Sequence, residues 1–165
     1  MAKPAERSAA RMAVVQALYQ MDVAGKGVLD AMAEFEAFWI GREVEGISFK
    51  PAENSFFRDV LLGVVSEQIP VDQLVDKALA ANWPLARIEA VLRAILRAGA
   101  YEIAFRKDVP ARVVISEYVD VTHGFYGEDE PGLVNAVLDA VAREVRPKEM
   151  VERPRGGARS RPGLA

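Results

Sequence analysis

The sequence has no cysteine and a single histidine. Without cysteine there is no disulfide, no thiolate nucleophile and no thiolate-held zinc or iron-sulfur centre. His123 follows Glu117 and Asp120 at successive spacings of three, but a helical di-metal site needs a second Glu-x-x-His, and no other histidine exists to supply it. It reads instead as a surface residue near a helix C-terminus. No stretch approaches the ~18 consecutive apolar residues of a membrane span, and the opening MAKPAERSAAR lacks the apolar run of a signal peptide. Glycine-rich phosphate loops, dinucleotide fingerprints and nucleophile elbows are missing too. Glu128 and Asp129 sit on a glycine-flanked loop where water keeps them ionised, which argues against a general acid. From these absences a cytoplasmic binding protein is expected, not an enzyme, without metal or cofactor.

What the chain does have is apolar content, 51% of 165 residues, enough for one core and one domain over residues 1–150. The Pro/Gly/Arg-rich stretch VERPRGGARSRPGLA, residues 151–165, is expected to be a disordered tail. A net charge of −3 hides an asymmetry: residues 146–165 hold six basic and two acidic residues, and the remainder fifteen basic against twenty-two acidic. An acidic body with basic ends binds nucleic acid locally or not at all.

The longest periodic segment, residues 85–107, carries apolar residues at Leu85, Ile88, Val91, Leu92, Ile95, Leu96, Gly99 and Ile103, the spacing of a central helix buried on most sides. Gly99 and Ala100 leave room for a neighbouring helix. On its charged strip, Glu89 precedes Arg93 by four and Glu102 precedes Arg106 by four, which predicts pairs along the helix surface. Further helices are expected over residues 3–23, 28–44, from Asn54 or Ser55 to Pro70, after Pro70, over 110–123, and from Pro131 to Pro147. Gly46 to Pro51 reads as a connection, and strand-like alternation is absent. The fold class is therefore all-α, with about seven helices.

One stripe on the first helix changes character. Lys3, Arg7 and Arg11 are spaced by four and continue as Val14, Leu18 and Met21. The basic turns cannot face the core that the later turns face, so they are expected to project from the body or to order on an anion.

Four blocks of the chain, taken in order, resemble the bacterial NusB family of transcription antitermination factors. They are RMAVVQALYQ; Phe57 to Val64; Val91-Leu92-Arg93 with Ala100-Tyr101-Glu102-Ile103; and DVPARVVISEYVDVTHGFYGEDEPGLVNAVLD, residues 108–139. The resemblance implies a NusB-like bundle of two helical subdomains. It also implies partners: single-stranded boxA RNA, the small-subunit ribosomal protein NusE and, indirectly, the elongating RNA polymerase complex. By position, Lys3, Arg7 and Arg11 would meet phosphates, Phe125, Asp129 and Leu133 would lie on the RNA surface, and Tyr19 and Glu89 would face NusE.

The chain departs from the family pattern at Ser116, Ala136, Thr122-His123 and Leu133, where an aromatic is common and stacking on a base supplies ~1–3 kcal/mol. Four neutralised phosphates would give a salt slope of about −3, at roughly −0.7 per contact for single strands. Two other readings stay open at this point: a helical protein-interaction module, and an accessory RNA-binding domain serving an rRNA-modifying enzyme. A homodimer that hides the RNA surface is also compatible with the sequence.

Overall fold

The computed structural model describes residues 4–39, 43–44, 47–48, 51–79, 85–127 and 129–151. Seven α-helices follow one another: α1 Pro4–Ala24, α2 Val28–Trp39, α3 Pro51–Ser66, α4 Gln68–Ala78, α5 Ala90–Phe105, α6 Ala111–His123 and α7 Asp129–Val145. The basic tail after residue 151 lies outside the described residues, as does Lys3.

Helix α5 is the centre, buried around most of its circumference from Leu92 to Ile103. It packs on α1 and α3 on one side and on α4, α6 and α7 on the other, while α1, α2 and α3 pack on one another. Two helical groups thus share α5. As its small residue anticipates, Gly99 marks a close approach: a Cβ there would lie 2.7 Å from Leu138 Cδ1 on α7.

The central helix is shorter than its periodicity predicts. Leu85–Arg87 form a separate 3-10 turn, and Glu89 is extended, at φ −60° and ψ 148°, as the residue before α5. Leu85 and Ile88 are buried all the same, so they imitate helical spacing from a turn. That turn is pinned by the Leu85 N–H, which donates to Asp76 Oδ1 at 2.7 Å.

The charge pairs along α5 are overturned as well. Arg93 pairs with Asp22 of α1 at 2.6 Å, Arg97 with Asp72 of α4 at 2.8 Å, and Arg106 with Asp59 of α3 at 2.7 Å. Each arginine reaches a different helix. A surface i,i+4 pair is worth only ~0.3–0.5 kcal/mol, so carboxylates on neighbouring helices compete for these guanidiniums easily.

Other differences are local. Helix α2 ends at Trp39, short of the expected Val44, and a small hairpin forms, β1 Glu43–Val44 from the end of the expected helix against β2 Ile47–Ser48 in the expected connection. Helix α3 starts at Pro51, because proline suits a first turn whose N–H groups have no intrahelical partner. Pro70, expected to stop α3, falls inside the first turn of α4, and Pro131 does the same in α7. On α2, Met32 is buried and Phe35 packs on Phe57 with centroids 5.4 Å apart, whereas Leu29 is exposed.

Beyond α7 the chain still belongs to the body. Arg146 is buried and donates to the carbonyls of Glu102 (3.2 Å), Ile103 (2.8 Å), Arg106 (3.0 Å) and Val109 (2.7 Å). These lie at and just beyond the end of α5, where helical carbonyls lack partners. Glu149 pairs with Arg146 at 3.0 Å and accepts the N–H of Ala111, the first residue of α6. Residues 146–149, counted from composition as part of a basic tail, are a double cap.

Candidate nucleic-acid interface

Helix α1 delivers the basic stripe, and the structure divides it. Arg7 is half-buried, with its guanidinium 4.6 Å from the centroid of Phe56. Arg11 is not at the surface at all: it is 2% exposed. Its Nε donates to Glu102 Oε2 at 2.8 Å, its Nη2 to Glu102 Oε1 at 2.9 Å, and its Nη1 to Glu117 Oε1 at 3.0 Å. The expectation that Arg11 projects to meet phosphates is corrected by this geometry. A buried guanidinium needs a carboxylate partner, and Glu102, fully buried on α5, supplies one from 91 positions away.

Around this pair the network is continuous. The Tyr118 hydroxyl donates to Glu102 Oε2 and the Ser8 hydroxyl to Glu117 Oε1. Burial alone would lower the Arg11 pKa, but the hydrogen bond and charge of Glu102 outweigh it, so the net shift is upward. Burial, reinforced by the charge of Glu102, holds the Tyr118 phenol well above its usual range. Arg106 joins the same corner, 5.0 Å from the Phe56 ring. Three guanidiniums therefore surround one buried phenyl, each contact worth ~0.5–2 kcal/mol.

The loop between α6 and α7 is held against α1 and α5. A Cβ on Gly124 would lie 3.3 Å from Met12 Cε, and Tyr126 donates its hydroxyl to Glu89. Phe125 is 39% exposed and lines a cleft of about 970 Å³ with Gln16 and Tyr19 of α1, Phe35 of α2 and Val91 of α5. Lys26 and Glu34, an ion pair, lie on its rim. Asp129 is exposed in the first turn of α7, where the positive helix end favours an acid. Leu133 is half-buried against the core, which leaves less of it to meet a base.

The structure therefore brings Tyr19 and Phe125 to one cleft and joins Glu89 to the same loop through Tyr126. Reading the sequence in blocks assigned these residues to two separate surfaces. Reading by spacing also missed Arg106 as the neighbour of Arg7, because Phe56, the ring that unites them, belongs to a third helix. No cluster of His, Asp or Glu suited to a metal exists among the described residues. No helix among them is long and apolar enough to cross a membrane.

A seven-helix bundle in which an arginine-bearing first helix stands beside an aromatic loop defines a small all-helical protein. Residues 8–143 match the model of the NusB family. The chain belongs to that family. It is 61% identical over 147 residues to the transcription antitermination protein NusB of Rhodopseudomonas palustris (strain TIE-1), covering 89% of this chain and 84% of that one. It is 60% identical over 148 residues to the same-named protein of Bradyrhizobium sp. (strain ORS 278), covering 90% and 88%. Among solved structures, T. maritima NusB superposes with a TM-score of 0.72 at 28% identity, over 89% of this chain and 97% of that one. The antitermination factor NusB, solved with NusE and double-stranded RNA, shares the fold with a TM-score of 0.72 at 23% identity, over 84% and 97%.

Proposed function

We propose that this chain is a non-enzymatic transcription antitermination factor of the cytoplasm. It binds single-stranded boxA RNA together with NusE and promotes read-through by RNA polymerase, especially in ribosomal RNA operons. The observation that carries this reading is the 61% identity, over 89% of the chain, to a protein named for that role. The site chemistry supports it. Arg7, with Lys3 ahead of it, supplies charge for phosphates, Phe125 offers an aromatic face to a base, and Asp129 and Leu133 complete the RNA surface. Tyr19 and Glu89, with the cleft between α1, α2 and α5, form the NusE face.

With Arg11 withdrawn from the phosphate contacts, about three remain and the slope of log affinity against log salt becomes about −2. The test is binding of labelled boxA RNA against a scrambled RNA, with and without NusE, at several salt concentrations. Preference for boxA that tightens with NusE is expected. Equal, weak binding to both RNAs, unchanged by NusE, would overturn the reading in favour of a helical interaction module.

A further inference from the structure

We infer that Arg11 is a positioning residue for RNA binding: it fixes α1 against α5 and α6, so that Arg7 and the loop after α6 are presented together, and it touches no phosphate itself. This rests on the RNA-binding reading above.

The case begins with access. Three of the five N–H donors of Arg11 are committed to Glu102 and Glu117, and its guanidinium lies 4.9 Å from the centroid of the buried Phe56 ring. To reach a phosphate it would have to abandon Glu102, stranding a fully buried carboxylate. An uncompensated buried charge is among the costliest defects a fold can carry.

The contacts then run on to the loop. Tyr118, bound to Glu102, lies on α6, and its carbonyl accepts the Thr122 hydroxyl at 2.6 Å. The Thr122 carbonyl in turn accepts the N–H groups of Phe125 and Tyr126, each at 3.0 Å. A chain of hydrogen bonds thus connects α1 to the two aromatic residues of the loop. Four residues before Arg11, Arg7 shares the Phe56 ring with it, so the same anchor sets where the phosphate-facing charge stands.

The test compares four proteins on boxA RNA across a salt series: the unaltered chain, Arg7→Ala, a double variant, Arg11→Met with Glu102→Gln, that removes both buried charges at once, and that double variant made in the Arg7→Ala background. Arg7→Ala is expected to flatten the salt slope by about 0.7. The double variant is expected to bind roughly three- to tenfold more weakly, the size of effect seen for residues that act without touching a ligand, and, made in the Arg7→Ala background, to leave the slope where Arg7→Ala alone puts it. A further flattening by about 0.7 in that background, or an unchanged affinity of the double variant, would overturn the inference. A second measurement needs no variant: in nitrogen-15 spectra of the unaltered protein, the Arg11 Nε–H should stay protected and unshifted as RNA is added. Movement or loss of that signal on RNA binding would make Arg11 a direct contact and defeat the proposal. Should the unaltered protein bind no RNA, the proposed function fails first and this role falls with it.

Discussion

The ring of Tyr101 fills the place where Gly63 would carry a side chain: a Cβ built on Gly63 would lie 2.1 Å from Tyr101 Cζ. Tyr101 is buried and stacked on Phe105, with centroids 5.3 Å apart, so the ring cannot simply swing away. Alanine at position 63 would gain up to ~1 kcal/mol of helix propensity. Overpacking costs ~1–3 kcal/mol, and with a contact this short the larger figure governs. Gly63→Ala is expected to lower stability by about 1–2 kcal/mol, read from the urea midpoint at unchanged slope.

Arg146 offers a larger effect. Replacing it by methionine keeps the stem but takes away the guanidinium donors of the Ile103 and Val109 carbonyls, and each buried unsatisfied group costs ~1–3 kcal/mol. Arg146→Met is expected to destabilise by at least about 3 kcal/mol. Arg146→Lys should recover little, since a point ammonium does not reproduce the planar fork that reaches four carbonyls. Equal stability of the lysine variant and the unaltered protein in thermal unfolding would contradict this account.

Truncation separates the body from the tail. A chain ended after Val151 keeps Arg146, Glu149 and the buried Met150, and its melting temperature should match that of the full chain. One ended after Pro147 loses the Glu149 cap on Ala111 and the Met150 contact. It should melt several degrees lower, at roughly 2–4 °C for each kcal/mol lost in a protein of this size. RNA affinity gives a separate readout on the first truncation. If the four arginines at 153, 155, 159 and 161 add nonspecific phosphate contacts, affinity falls and the salt slope flattens.

Stability should also follow two exposed carboxylates. The hydrogen bond from Arg106 holds Asp108 below its ordinary pKa, and the backbone N–H of Ala111 does the same for Glu149. For a depressed pKa the stabilisation is complete above the unfolded value of about 4 and is lost as pH falls through the folded value. The urea midpoint should hold steady from about pH 7 to about pH 5 and fall below about pH 4. Glu149→Gln should make that fall shallower, by a modest amount because solvent screens both groups. At the alkaline end the sign reverses. Burial raises Tyr101 and Tyr118, so their contribution is complete below about pH 10 and is lost as pH rises through the folded values. The phenolate absorbance of these two should appear only as the protein unfolds.

How much of this was legible beforehand depends on the range of the interaction. Helices are written locally, and apolar spacing over residues 85–107, 110–123 and 131–147, with four segments before them, predicts seven helices in the observed order. Ends were harder. Leu85 and Ile88 carry helical spacing yet sit in a separate turn, since periodicity registers burial and not the backbone that achieves it. The charged residues misled for a different reason. Arg93 looked like a partner of Glu89 on its own helix, and Arg11 like a free arm, because the carboxylates that these two arginines choose stand 71 and 91 positions away. No window on a single sequence contains such a pair. Phe125 and Tyr19 were each legible as a candidate, but the cleft they share exists only once α1, α2 and α5 have packed.

The cap at Arg146 also has a meaning for how the chain is made. It closes a carbonyl 43 positions earlier, so on a growing polypeptide α5 is complete well before the group that seals its end has been added. Until then the carbonyl of Ile103 lacks its guanidinium donor and the first turn of α6 lacks Glu149. Domains generally close as units during synthesis, and here closure waits on the residues after α7. A released chain ended just short of position 146 should therefore be cut by protease near residues 103–111 far more readily than one ended after Val151.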